Sequence, residues 1–570
     1  KYLYDSAGNK IEETDIYGNK TVYTYDALGN VLTETDVFGK INKNTYENGL
    51  LVKNEDKLGN VTTYKYDKFG EVEKTLPNGK QETKEYVADK VVKATDQYGR
   101  VKITEYDTFG RISKETSETG IVTVYTYDDN NQVLIKTVDD ERVNEYTYDV
   151  YGNQLTSKDA LGNITSFTYD SMNRITQEID PLGNKTVHIF NGLGNEIEVI
   201  DAKGNSEKHI YDINGLLIKD VDKNGYATTY KNKNGKRTST TTADGIVTTF
   251  IYDKYNNLID TKINNISIEK NTYNQYGQLV KIEKPSEQYT YEYDDYGRKI
   301  KEINNITTLT TEYTYDSFDN ILEQKDSGGK KISYEYDEYN RMIKTIDAYG
   351  RTETQIYDIN SNVIEVKNFS NETEKYSFDA YGNLITESDK FGNITTYSYD
   401  LNNNRITSKD ARDVIITNKY DANGNVIETS NSFYDAKQKF TYDANENLIL
   451  SIDFMGNETK NEYDANNQKV SVINANGQTT KTEYDVHGNV IKVINADGQS
   501  KQIKYNAFGQ VIEEVDERGF SIKYHYNDKL LQDEITDKLG KTIKITYGND
   551  NLPNKIKNQN GYTTVYEYDI

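Results

Sequence analysis

One phrase returns through this 570-residue chain at near-constant spacing: an aromatic-Asp pair, two variable residues, then Gly-Asn. Tyr25 to Lys40 read YDALGNVLTETDVFGK, and Phe378 to Asn393 read FDAYGNLITESDKFGN. With the aromatic residue as anchor there are 28 copies from Tyr4 to Tyr568, so 27 intervals span 564 residues, about 20.9 each. No linker or shift of composition breaks the series. A period of this length marks a repeat architecture, and residues 1–570 are expected to form a single continuous array. Lys1 falls inside a unit and Ile570 directly follows a Tyr-Asp pair, so both ends are expected to be cuts within a longer array.

Each unit carries two turn signals. The first is the anchor turn, with Gly four residues after the aromatic, as at Gly8, Gly29, Gly70, Gly110, Gly152, Gly382 and Gly488. Asn takes that slot at 173, 256, 340, 403 and 467. Gly and Asn are the residues that tolerate φ > 0, so a left-handed residue is expected there. The second signal follows about ten residues later, as Asp36 to Gly39 or Asp159 to Gly162. Asp first and Gly fourth is the preference of a type I turn. Between the signals lie short alternating stretches. In Lys20 to Asp26, Tyr23 and Tyr25 share one face while Val22 and Thr24 share the other, the period-two pattern of a strand. Tyr125 with Tyr127, and Tyr397 with Tyr399, repeat it. The candidate structural positions are therefore Tyr23, Tyr25, Asp26, Gly29, Asp36, Gly39, Tyr125, Tyr127, Tyr397, Tyr399 and Asp400.

Two strands and two reversals per unit predict a meander of about 55 antiparallel strands. An open twisted sheet rarely exceeds about ten strands without curling, and at about 4.8 Å per strand a flat ribbon would run roughly 270 Å. The ribbon is expected to spiral, walling off a space. Composition agrees: Ala, Val, Ile, Leu, Met, Phe, Trp, Tyr and Cys together are 35% of the chain, too few for a thick core, yet Tyr alone numbers 51. Disordered chains are poor in aromatics; Tyr suits a surface dry on its body and polar at its tip. A parallel β-helix shares the period but would stack residue i on i+21. A propeller would need roughly 40–45 residues per blade.

The quoted phrases, with YDVYGN, YDEYNR and YDVHGN each followed by a second Asp-Gly turn and a Tyr strand, resemble the YD repeat of the RHS family over essentially the whole chain. That resemblance implies a hollow β-shell in which a strand ribbon spirals around a cavity. In bacterial members it implies a container for a variable C-terminal toxin; in teneurins, a role in cell adhesion, with wall-associated proteins of Gram-positive bacteria as a further branch. The implied partner is the chain's own C-terminal cargo domain, and the implied location is secreted or at the bacterial surface. Bacterial shells also carry an autoproteolytic Asp-Pro-x-Gly signature. Asp180-Pro181-Leu182-Gly183 matches its letters but sits in an ordinary second-turn slot.

The chemistry-bearing residues are few. A net charge of −24 opposes phosphate-mediated nucleic-acid binding, and no apolar run reaches the roughly 18 residues that would cross a bilayer as a helix. There is no Cys. His188 and His209 stand one unit apart in an aromatic column and read as substitutions there, since a shared metal would need a third ligand. The turn Asp residues raise the question of calcium, but each turn supplies about one carboxylate where calcium takes six to eight oxygens. Asn163, Asn305 and Asn393 fall in Asn-x-Ser/Thr triplets. With no Ser-His-Asp spacing, phosphate-binding glycine loop or zinc motif, the chain is expected to be non-enzymatic and without a cofactor. Two functions stay open: a shell around a toxin or other cargo, and a surface adhesion or glycan-binding fibre.

Overall fold

In the computed structural model, which describes residues 1–434 and 436–568, regular structure is β throughout. Asp569 and Ile570, the last two letters of the expected array, lie outside the described residues. Fifty-five strands, β1 (Tyr2–Tyr4) to β55 (Thr563–Val565), form one sheet. Each pairs antiparallel with its neighbours in sequence, and packing contacts between strands likewise join only sequence neighbours. The antiparallel meander is thus observed, and equivalent strands are not stacked in parallel.

The unit is set by one turn used twice. After β3 (Lys20–Tyr25), Gly29 N–H donates to the Asp26 carbonyl at 3.2 Å and Asp26 N–H to the Asn30 carbonyl at 3.0 Å, leading into β4 (Val31–Thr35). After β4, Gly39 N–H donates to the Asp36 carbonyl at 2.9 Å and Asp36 N–H to the Lys40 carbonyl at 2.8 Å, leading into β5 (Ile41–Glu47). Both are a type I turn followed by a left-handed bulge residue, the common three-residue hairpin loop. Gly29 and Gly39 have φ of +86° and +80°. Asn173, Asn256, Asn340, Asn403 and Asn467 hold the same slot at φ of +61° to +67°. The two signals that differ in the sequence are one conformation. A unit loses a residue where a two-residue loop replaces its anchor turn, as at Asn48-Gly49; at the second turn Asn264-Asn265 forms the same kind of loop, both residues left-handed, and the longer β27 (Ile266–Tyr273) keeps that interval at 21.

The two ladders of a unit are unequal. Across the anchor turn, β3 and β4 pair over Val22↔Thr35 to Tyr25↔Val31 with a bulge before the anchor Tyr25. Across the second turn, β4 and β5 pair only over Thr33↔Lys43 to Thr35↔Ile41. Strands of adjacent units therefore part toward the anchor edge, and a side chain must fill the opening. Register corrects one anchor. In β23 (Ala227–Lys233) the bulge precedes Asn232, so Asn232 is the anchor of that unit and Tyr230 stands two residues before it. The neighbouring intervals become 21 and 20.

No apolar residue is fully buried among the described residues. Strands that lead to an anchor commonly alternate between an exposed and a half-buried face: in β3, Lys20, Val22 and Thr24 are exposed while Thr21, Tyr23 and Tyr25 are half-buried, whereas β4, after the anchor turn, is half-buried throughout. Opposed residues on the exposed face include hydroxyl pairs such as Thr24 with Thr33 at 2.6 Å and ion pairs such as Lys344 with Glu335 at 2.7 Å and Lys504 with Glu513 at 2.7 Å, and elsewhere an Ile faces a charged residue, as Ile189 does Glu198 and Ile210 does Lys219.

The left-handed slot gives a clean test at Gly183, where φ is +88° and an added Cβ would meet nothing within 4 Å. Gly183→Ala is expected to cost about 1 kcal/mol from backbone conformation alone. Gly183→Asn should cost less, because Asn already serves in this slot. Hydrogen exchange of the flanking strands would rank the three residues.

Candidate functional site

The positions singled out by the repeat become one recurring cluster around the anchor turn. Asp26 Oδ1 accepts the N–H groups of Leu28 at 2.8 Å and Asn30 at 2.9 Å, and its Oδ2 accepts the Asn30 side chain at 2.8 Å. Asp400 repeats this with Asn402 and Asn404. Asp36 holds the N–H groups of Phe38 and Lys40, both at 2.9 Å. Where Arg replaces the closing Asn, the same oxygen is held by its guanidinium, as in Arg111 on Asp107 at 2.7 Å. The turn carboxylates are thus occupied by N–H donors, an arrangement that leaves little for a cation. Among the described residues no group of three or more His, Cys, Asp or Glu converges on a possible metal position.

The anchor Tyr fills the opening between units. Tyr127 donates its hydroxyl to the Ile112 carbonyl at 2.6 Å. Ile112 lies beyond the end of the ladder joining its strand to that of Tyr127, which runs only from Lys114↔Val124 to Thr116↔Val122. Tyr25 on Lys10 at 2.6 Å and Tyr399 on Leu384 at 2.8 Å do the same. In all, 21 anchors make this bond to a carbonyl 14 to 16 residues earlier. Asn232 makes it with its amide, on Leu217 at 2.9 Å. Tyr residues two before the anchor reach a carboxylate ten residues earlier: Tyr125 on Glu115, Tyr397 on Glu387 and Tyr230 on Asp220. Burial, then these carboxylates, pushes Tyr397 and Tyr230 up to about 12. Cations lie over these rings: Lys10 over Tyr23 at 4.7 Å, Arg111 over Tyr127 at 4.5 Å and Arg405 over Tyr397 at 5.2 Å.

The histidines are held separately. His188 Nδ1 faces Glu196 at 2.7 Å and His209 Nδ1 faces Asp220 at 2.8 Å. Asp180-Pro181-Leu182-Gly183 folds as the ordinary turn, Gly183 N–H to the Asp180 carbonyl at 3.0 Å, with Asn184 on Asp180 Oδ2 at 2.8 Å.

The feature that sequence reasoning missed is a seam. Second turns of one stretch of ribbon meet anchor turns 240 to 265 residues further on, about 12 units later. In its first half the seam is aromatic. Tyr17, Phe38 and Tyr98 meet Tyr255, Tyr276 and Tyr339 with ring centroids 4.8, 4.7 and 4.5 Å apart. Around them, Tyr17 donates to Asn257 at 2.6 Å and Lys80 pairs with Glu338 at 2.6 Å. In its second half the seam is a polar ladder at the repeat spacing. Asn402, Asn423, Asn445 and Asn466 each donate to the second-turn carboxylate opposite, Asp159, Asp180, Asp201 and Asp222, at 2.6 to 2.8 Å. His487 faces Asp244 at 3.0 Å in the next rung. Tyr381 bonds Asp139 and lies under Arg142 at the junction of the two halves. The ladder stops where the edge shortens to the two-residue loop Asn264-Asn265. There a cleft of about 890 Å³ opens, lined by Asp244 and Ile246 of one coil and His487, Gln502 and Tyr505 of the next.

Two profiles of known families match the chain. The RHS Repeat profile matches residues 4–41, 146–185, 315–352 and 378–415, and the Teneurin YD-shell profile matches residues 406–570. A search of curated proteins finds no match. Among solved structures the fold is similar to a Photorhabdus luminescens Tc holotoxin pore carrying a TccC3 mutation, with a TM-score of 0.58 at 14% identity over 97% of this chain and 39% of that one. It is also similar to TcdB2-TccC3-TEV, with a TM-score of 0.57 at 13% identity over 93% and 36%. TcdB2-TccC3-Cdc42 gives 0.52 at 13% over 97% and 42%. The chain therefore spans well under half the length of these solved chains.

Two outcomes follow from this geometry. Tyr127→Phe should cost about 1 kcal/mol by leaving the Ile112 carbonyl unpaired. Hydrogen exchange should show the loss in that unit and its neighbours only, because array stability is nearest-neighbour in kind. The second concerns acid. Asp26, Asp149 and Asp389 are held below the usual carboxylate range, first by the side chains of Asn30, Asn153 and Asn393. Below an unfolded-chain value of about 3.9 the unfolded state takes up protons first. The unfolding midpoint should hold steady from neutral pH to about 5 and fall below about 4; a midpoint that rose toward acid would contradict it.

Proposed function

The chain belongs to the RHS/YD-repeat family, and on that premise we propose that it is the non-catalytic side wall of a container enclosing a cargo or toxin domain. The whole array, about 28 units, acts as one wall, and the cargo is a domain of the same polypeptide C-terminal to the array. The container works outside the cell or at the bacterial surface.

The observation that carries this reading is the seam. A spiral ribbon makes a wall only if successive coils are joined edge to edge, and here second turns bond to anchor turns along the coil. The sheet's chemistry agrees. No apolar residue is fully buried among the described residues, and hydroxyl and ion pairs interrupt the exposed Ile and Val of the sheet, which breaks up the apolar surface an unfolded or loosely packed cargo could adhere to. The turn Asp and anchor Tyr positions then serve as joints of the wall.

The experiment compares one cargo in two arrangements. A protease-sensitive domain fused C-terminal to the array should resist added protease until the shell is opened. The same domain co-expressed as a separate chain should be cleaved at once. If the fused domain is cut as fast as the free one, the container reading fails and an adhesive or glycan-binding surface fibre takes its place.

A further inference from the structure

The aromatic half of the seam sets phenol against phenol. Tyr17 lies against Tyr255 with ring centroids 4.8 Å apart, and Tyr98 against Tyr339 at 4.5 Å with the ring planes 27° apart. The partners stand 238 and 241 residues further along the chain. The chain holds 51 Tyr, yet among the described residues the other Tyr–Tyr ring contacts, Tyr2 with Tyr4 and Tyr566 with Tyr568, join residues two apart at 6.5 Å. The two tightest phenol pairs therefore both bridge successive coils. The chain has no Cys, so no disulfide can fix one coil to the next.

Each pair is held in place from both sides. All four tyrosines are the third residue of a clamped turn, and their N–H groups donate to Asp15, Asp253, Asp96 and Asp337 at 2.8 to 2.9 Å. The Tyr17 hydroxyl is tied to Asn257 at 2.6 Å, and the guanidinium groups of Arg100 and Arg341 lie over Tyr98 and Tyr339 at 4.8 and 5.1 Å. The four rings are half-buried, so a small reagent in solvent reaches them. Between the two pairs the same slot holds Phe38 against Tyr276 at 4.7 Å, a ring contact in which one side has no phenol.

We propose that Tyr17 with Tyr255, and Tyr98 with Tyr339, are oxidative cross-linking sites at which an external one-electron oxidant joins successive coils through dityrosine. Each phenol gives one electron to the oxidant and its proton to water, leaving a neutral tyrosyl radical. The two unpaired electrons form a bond between ring carbons ortho to the hydroxyls. Each of those carbons then releases its hydrogen as a proton while its phenolic oxygen regains one, which restores both phenols. In sum, the oxidant takes up two electrons and two protons leave. The coupling requires two rings to be adjacent while the radicals last, and the seam supplies that adjacency in advance. Each link closes a loop of roughly 240 residues, and a cross-link stabilises by restricting the unfolded chain, more so for a longer loop. The inference needs the seam and no cargo, so it stands apart from the container reading.

The test exposes the dilute 570-residue chain to a brief flash with tris-bipyridyl ruthenium and persulfate, then digests it for tandem mass spectrometry. Two linked peptide pairs should dominate, Tyr17 with Tyr255 and Tyr98 with Tyr339, each lighter than its two parts by two hydrogen atoms. The cross-linked monomer should show dityrosine fluorescence, altered mobility in a denaturing gel and a raised unfolding midpoint. Tyr17→Phe should remove the first link and leave the second, with circular dichroism unchanged, because Phe38 already occupies this slot. Phe38→Tyr should add a third link, to Tyr276. The same flash in denaturant should abolish the preference for these pairs. The inference is overturned if neither pair links in the folded chain, or if both link no more often than tyrosines elsewhere. It is overturned equally if a folded Phe38→Tyr chain gains no link, or if the preference survives in denaturant.

Discussion

The carboxylate at the first position of most turns makes the bonds on which the other features rest, and at positions such as 191, 274 and 506 an Asn side chain takes its place. The carboxylate's Oδ1 gathers two backbone N–H groups and so closes the type I turn; its Oδ2 holds the Asn or Arg that ends the loop. Because the same clamp operates at both reversals, each unit has two strands and two edges lined with near-identical loops. Those loops then become the joints of the coil. Asp159, Asp180, Asp201 and Asp222 accept a second side-chain donor on Oδ2, from the coil above. One residue type thus fixes the hairpin, sets the edge and bonds the seam.

What this clamp cannot supply is cohesion between units, which an ordinary domain takes from a core. The ladders between adjacent units are short, and the anchor Tyr closes the opening with its ring and ties the free carbonyl with its hydroxyl. A hydrogen bond of this kind contributes about 0.5–1.5 kcal/mol net. Its effect here comes from repetition along the array, where each unit supports only its neighbours. A sheet stabilised in this way needs no second layer packed on either face, which is the physical condition for a wall.

Much of this architecture was legible in the sequence because its causes are local. The 21-residue period, the Gly or Asn at the left-handed slot and the alternation of Tyr with Thr gave the strand number and the antiparallel meander. The turns at Asp26 and Asp36 looked different because one follows Tyr and the other follows Thr, yet their hydrogen bonds are the same. One anchor is hidden by the aromatic pattern: Asn232, two residues after Tyr230, makes the anchor's bond with an amide. The seam was illegible for a different reason. Its partners are 240 to 265 residues apart, about 12 units, and nothing within one unit encodes that number. It comes from the accumulated twist and splay of many hairpins. The one hint was the unbroken run of Asn at the third anchor-turn position at 402, 423, 445 and 466; elsewhere that position varies, with Tyr, Phe or Leu in many units and isolated Asn at 130, 214 and 360.

The coil itself is the claim on which the wall depends, and a distance between two spin labels tests it directly. The chain has no cysteine, so Ala160→Cys with Leu401→Cys provides a unique labelled pair on facing turns that line one cleft of the seam. The coiled ribbon predicts a narrow distribution at the short end of the measurable range, although 241 residues separate the labels. The same ribbon laid open would place the two turns 23 strands apart, about 110 Å at about 4.8 Å per strand. A long or broad distribution would contradict the seam, and with it the wall.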